Sequence, residues 1–108
     1  MKTYNYNGET IRLTKANYAA NGSLAIFIEY WDKDFEGFLP YTTATVCLVD
    51  EPTPEADCAY LDTNNNPGLD LFLIEEGIAK AESGIGFSGF CVYPLFRFLD
   101  TASISERA

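Results

Sequence analysis

An Asn-Gly pair set between two runs of alternating residues constrains the fold of this chain more than any other feature. Asn7-Gly8 is flanked by Thr3-Tyr4-Asn5-Tyr6 on one side and Glu9-Thr10-Ile11-Arg12-Leu13 on the other. A two-residue hairpin turn needs positive φ at both central positions, and Asn followed by Gly accepts it. Tyr4, Tyr6, Ile11 and Leu13 alternate with polar residues, the period of a half-buried antiparallel pair. The chain therefore opens on a β-hairpin.

The following segments extend a sheet. Lys15 to Ser23 reads as a loop with a second Asn-Gly at Asn21-Gly22, or with its Ala-rich part as one short helical turn. Leu24 to Trp31 (LAIFIEYW) is β-branched and aromatic on both faces, which predicts a central strand. Asp32 to Gly37 is a polar turn. Phe38 to Val49 is rich in Thr and Val and predicts a strand from about Tyr41. Pro40 has no N–H to donate and belongs at the strand's entrance or on an edge. Asp50 to Asp57 (DEPTPEAD) is a loop, and Cys58 to Leu61 a short strand. Asn66 as N-cap and Pro67 at the first helical position predict a helix start. Leu69, Phe72 and Leu73 give that helix an apolar face, and Gly77 suits its end. Ile78 to Glu82 is a further strand, Ser83 to Gly89 a glycine-rich connection, and Phe90 to Leu99 the last strand. Pro94 places that last strand at an edge, a bulge or a bend. The expected architecture is α+β: an antiparallel sheet of five to seven strands, with one main helix at about residues 67–76 packed on one face. One domain spans residues 1–99, and 100–108 is a flexible tail.

At 108 residues and 47% hydrophobic, the chain has enough apolar material for one core. It contains no histidine. Ser-His-Asp and Cys-His nucleophile pairs, histidine metal ligands and histidine general acid–base chemistry are all excluded. Cys47, Cys58 and Cys91 are odd in number and form no CxxC pair, so neither a zinc site nor a dithiol motif is expected. Their apolar neighbours suit reduced thiols in a core. The segment from Met1 to Leu13 has no apolar stretch of the kind a secretion signal carries, and no apolar run approaches the ~20 residues of a membrane span. The expected compartment is the cytoplasm.

Charge is the feature that points towards function. The net charge is −9, from 16 acids and 7 Lys plus Arg. Such a surface repels phosphate and disfavours direct nucleic-acid or anionic-membrane binding. The excess is concentrated. Residues 50–82 hold Asp50, Glu51, Glu55, Asp57, Asp62, Asp70, Glu75, Glu76 and Glu82 against Lys80 alone, a net −8. Glu75 and Glu76 also sit in the last turn of the expected helix, where the dipole disfavours anions. A solvated acidic surface accounts for this; so does an electronegative face for a basic partner.

The other motifs are weaker. Asp62 to Asp70 places Asp62, Asn64, Asn66 and Asp70 at calcium-loop spacing. Pro67 stands where that loop needs Gly, and Leu73 where it needs Glu, so an EF-hand is excluded. Asn64, Asn65, Asn66 and Pro67 read as a structural turn and cap. Gly84-Ile85-Gly86 lacks the following helix and Lys of a phosphate cradle. Neighbouring acids such as Asp32/Asp34 and Glu75/Glu76 do not make a glycosidase geometry. No enzyme, metal or cofactor is expected. The aromatics of Phe87 to Phe98 make the C-terminal strand a candidate surface for homo-oligomerisation.

Ala59-Tyr60-Leu61-Asp62-Thr63-Asn64-Asn65, the helix with Phe72-Leu73, and Ser88-Gly89-Phe90-Cys91-Val92-Tyr93-Pro94-Leu95 resemble a family of small uncharacterised bacterial proteins. The resemblance extends over about residues 4–99 and brings no catalytic residues. It implies a setting on plasmids, prophages and conjugative elements, where small acidic proteins block host defence machinery. The expected function is therefore a non-enzymatic inhibitor of a basic, nucleic-acid-handling host protein, of anti-CRISPR or anti-restriction type. Asp50, Glu51, Glu55 and Asp57 would act as a flexible acidic loop and Asp70, Glu75 and Glu76 as helix carboxylates, with the turn from Asp62 to Asn66 between them. The alternatives are an oligomeric sponge for a signalling nucleotide, using Arg12, Arg97 and the amides of 84–89, and an accessory protein whose acidity serves solubility.

Overall fold

The computed structural model describes residues 2–107. Met1 and Ala108, the outer ends of the expected domain and tail, lie outside the described residues. The first sheet contains β1 (Tyr4–Tyr6), β2 (Glu9–Asn17), β3 (Leu24–Asp32) and β4 (Gly37–Thr43) in that order. The second contains β5 (Thr45–Val46), β6 (Cys58–Leu61), β7 (Ala79–Ser88) and β8 (Cys91–Phe98), in the order β5-β6-β8-β7. A helix, α1 (Leu69–Glu75), lies between β6 and β7, and β9 (Ser105–Glu106) pairs in parallel with β2.

The opening hairpin forms as its sequence dictates. Asn7 and Gly8 have φ of 52° and 81°, and Tyr6 faces Glu9 across the turn. β3 lies between β2 and β4. Pro40 sits within β4, on the outer edge of the first sheet, beside a register shift at Ile28/Glu29.

The α+β expectation is overturned: the chain is mostly β, and each sheet is covered by the other rather than by a helix. The helix is too short to cover a sheet. Gly68 stands at φ 84°, which a helical residue does not adopt, so α1 starts at Leu69 rather than Pro67. Its seven residues span about 10 Å. The N–H groups of Gly77 and Ile78 close it by bonding to Ile74 O and Leu73 O. Asn66 does not cap it, because its amide is held elsewhere.

The two sheets meet at Ala44. The stretch read as one strand from about Tyr41 to Val49 leaves the first sheet at Thr43 and joins the second at Thr45. Between them Ala44 is fully buried. Its N–H donates to Ile26 O (2.8 Å) and its carbonyl accepts from Asp62 N (2.9 Å), so one residue is bonded to both sheets. The core fills the space between them. Ile11, Leu13, Ile26 and Ile28 come from the first sheet, Ala59, Leu61, Phe96 and Phe98 from the second, and Leu69 and Leu73 from α1. Burial of each large aliphatic or aromatic side chain contributes roughly 1.5–3 kcal/mol.

The C-terminal half differs from expectation in two further places. The glycine-rich segment is strand as far as Ser88, and Gly89-Phe90 alone forms the turn. Of the placements expected for Pro94 the bulge is the one found: Pro94 faces Ile85, next to a bulge between Ala81 and Ile85, in a strand paired with β6 on one side and β7 on the other. Residues 100–107, read as tail, fold back over β2. Ile104 is buried in the core, Arg107 N donates to Lys15 O (2.8 Å), and the Arg107 guanidinium lies 3.9 Å from the Phe27 ring centroid.

Candidate functional site

The acids of residues 50–82 sort into three groups according to the element that carries them. Glu55 and Asp57 belong to the loop over the outer face of the second sheet. Along β8, Phe96 and Phe98 point into the core, so Arg97 between them points outward. There Arg97 Nη1 meets Asp57 Oδ1 at 2.6 Å and Nη2 meets Glu55 Oε2 at 3.0 Å, while Nε pairs with Glu82 of β7. One guanidinium thus offsets one of three carboxylate charges, and the cluster keeps a net −2. The Arg97 hydrogen bond holds the Asp57 carboxyl below the usual carboxylate range, and the three carboxylates raise the Arg97 pKa.

The loop expected to be flexible is tied at several points. Tyr60 Oη donates to Pro52 O (3.2 Å), Cys58 N to Glu55 O (2.9 Å) and Phe98 N to Asp57 O (2.8 Å). Burial, and then the Glu51 charge, push the Tyr60 phenol up. Asp50 is exposed and Glu51 half-buried at the start of this loop.

Asp62 forms the second group by itself. It is buried, and its Oδ1 and Oδ2 accept from Asn65 N (3.1 Å) and Asn65 Nδ2 (2.8 Å). Asn66, also buried, donates to Thr43 O (3.1 Å) and Asp62 O (3.0 Å) and accepts from Thr42 Oγ1 (2.9 Å). Asn64 Nδ2 reaches Val92 O (3.2 Å), and Pro67 is exposed. The turn from Asp62 to Pro67 is a joint between β4, β6 and the β7–β8 hairpin, and its polar groups are directed at the protein's own backbone.

The third group is on α1. Glu75 and Glu76 are exposed and Asp70 half-buried, beside exposed Leu71 and Ile74. Glu76 lines an open hollow of about 300 Å³ with Lys2 and Asp100. Among the described residues, the ion pairs are those of Arg97 and the pair Arg12–Glu29 (2.6 Å), so Asp50, Glu51, Asp70, Glu75 and Glu76 stand outside them.

The role of Arg97 and Glu82 was not among the expectations from sequence. The signal was present: a cation alternating with Phe96 and Phe98 must face away from the core those rings fill. Both arginines of the sponge alternative are held by carboxylates, Arg97 as above and Arg12 by Glu29 while also lying 4.3 Å from the Phe38 ring centroid. Glu55, Asp57 and Cys58 place ligand atoms within 4.8 Å of one another. The two carboxylates are already bonded to Arg97, and burial raises the Cys58 pKa, away from the thiolate a metal requires. All three cysteines are free thiols. No helix among the described residues is long and apolar enough to cross a membrane.

No curated protein and no solved structure matches the chain. A family model does, a domain of unknown function (DUF4313), over residues 12–106. That match runs from within β2 through β9 and includes the second sheet, the helix and every acid of the three groups, and the chain belongs to the DUF4313 family.

Proposed function

We propose that this protein is a non-enzymatic acidic binding protein of a mobile genetic element. It engages a basic, nucleic-acid-handling host defence protein, of the CRISPR or restriction nuclease kind, through carboxylates of residues 50–82. The observation that carries this reading is the set of acids that stand outside the ion pairs among the described residues: Asp50 and Glu51 on the loop, and Asp70, Glu75 and Glu76 on the helix. Glu75 and Glu76 stand at the end of α1, where anions oppose the helix dipole, so their charges do not favour the helix that carries them. A basic partner would supply the charge the fold does not, and long-range attraction would speed the encounter. Glu55 and Asp57 act as the anchored rim, their charge partly met by Arg97.

The test pairs a binding assay with a cellular one. The chain and its Glu75→Lys/Glu76→Lys variant are used as bait in a host lysate at low and high salt. Expression of each is then scored for protection of an incoming plasmid against CRISPR or restriction. The expected result is salt-sensitive capture of a nucleic-acid-binding protein, with protection, both lost in the variant. Equal capture by the two baits, or no protection by the wild-type chain, would sink this function.

A further inference from the structure

The β7–β8 hairpin outruns the sheet it belongs to. β6 pairs with β8 no further than Tyr60↔Leu95, while the hairpin continues to Ser88↔Cys91. Side chains alternate along β8, so Val92 and Pro94 share the face on which Phe96 and Phe98 are buried. Across the pair, Phe87 faces Val92 and Ile85 faces Pro94. The core-side face therefore continues beyond the core. Ile85, Phe87 and Val92 are 51%, 53% and 44% exposed there, and Phe90 at the tip is fully exposed. The opposite face is closed. A Cβ on Gly86 would come within 2.5 Å of Leu48 and 2.9 Å of Tyr60. Val49, 62% exposed, borders the same tip in a hollow shared with Asp50, Phe87 and Gly89.

We propose that a second copy of this chain covers this face, hairpin against hairpin about a two-fold axis. Charge favours that occupant. No charged residue lies between Glu82 and Arg97, so this surface lets two chains of net charge −9 approach without opposing carboxylates along the hairpin. The hairpin strands themselves carry no carboxylate for the basic partner proposed above; Asp50 lines the hollow at their tip, so the two surfaces adjoin there. Area favours it as well. At the roughly 150–250 Å² an aromatic side chain can bury, the exposed parts of Val49, Ile85, Phe87, Phe90 and Val92 amount to about 500 Å². Two copies would remove about 1,000 Å², where specific interfaces begin. A two-fold contact is self-complementary and closes at two copies. The bulge between Ala81 and Ile85 breaks the regularity of the free β7 edge, so the face, not the edge, is what the hairpin presents.

Sedimentation equilibrium of the full chain decides it. The expected result is a concentration-dependent dimer, weakened at least tenfold by Phe87→Ser and by Phe90→Ser. Phe35→Ser, at an exposed residue of the β3–β4 turn, and Glu75→Lys/Glu76→Lys should leave it unchanged. Phe90 is fully exposed in the single chain, so its substitution is not expected to unfold it; thermal melts check this for Phe87→Ser and Phe90→Ser alike. A single-chain mass for the wild type up to about 1 mM, or a dimer indifferent to both hairpin substitutions, would overturn the proposal. Because the helix variant leaves this surface intact, failure here is separable from failure of the function proposed above.

Discussion

Arg97 and Asp57 lie 40 positions apart in the chain and meet at 2.6 Å on the outer face of the second sheet. The pair, with Glu55 and Glu82 on the same guanidinium, anchors an acidic loop that its own composition would leave loose.

Replacing Arg97 by Met should lower the melting temperature at neutral pH, because three carboxylates would then face one another without a cation. The effect should depend on pH. The folded pKa of Asp57 is depressed by Arg97. A depressed carboxyl contributes stability above its unfolded pKa, and that contribution is lost as pH falls through the folded value. The gap between wild type and variant should thus be full at pH 7 and shrink below about pH 4. Melts of both proteins from pH 7 to pH 3 check this; a gap of constant size would mean that Arg97 acts through packing alone.

Asn66→Ala should destabilise the fold by about 1–3 kcal/mol. The substitution leaves the Thr43 carbonyl and the Thr42 hydroxyl without the partners they have now. Asn66→Asp should rescue little, since a carboxylate cannot donate to the Thr43 and Asp62 carbonyls. Urea denaturation midpoints measure both, and a neutral Asn66→Asp would contradict the assignment of its amide as donor.

Gly86→Ala should cost about 1–3 kcal/mol, the usual range for overpacking. The obstacle is steric: the new methyl would meet the Tyr60 ring at 2.9 Å and Leu48 Cδ1 at 2.5 Å. Hydrogen exchange should show the loss concentrated in β7 and β8. Uniform loss over both sheets would argue against a local clash.

Thr14→Val should raise stability by about 1 kcal/mol. Thr14 Oγ1 is buried with no hydrogen-bond partner among the described residues, and valine removes that hydroxyl at nearly constant shape. Denaturant titration at neutral pH reads the shift; an equal loss would show that the hydroxyl is satisfied in solution.

Local features were legible where local chemistry decides the conformation. The turn at Asn7-Gly8, the central position of β3 and the strand from Cys58 to Leu61 all follow from φ requirements or side-chain type. The helix was legible in existence but not in extent, because Pro67 suits a helix start whereas the conformation of Gly68 excludes one. The β5 switch was not legible: Thr and Val continue across Ala44, and only the position of the other sheet makes the chain turn there. Ile104 carried a faint signal as a lone aliphatic residue in a polar tail, and burial in the core explains it.

By itself, the sequence determined that the chain is rich in strands, where several of its turns fall, that histidine chemistry is absent, and that its negative charge lies in one stretch. These depend on residue identity and near neighbours alone. Only the tertiary structure decided that two sheets cover each other, that Asp62 is buried, and that Glu55 and Asp57 share a guanidinium while Glu75 and Glu76 stand outside the ion pairs among the described residues. The physical reason is that a carboxylate's environment is set by what packs beside it. For this chain that neighbour arrives from β8, and nothing local to the loop determines where β8 will lie.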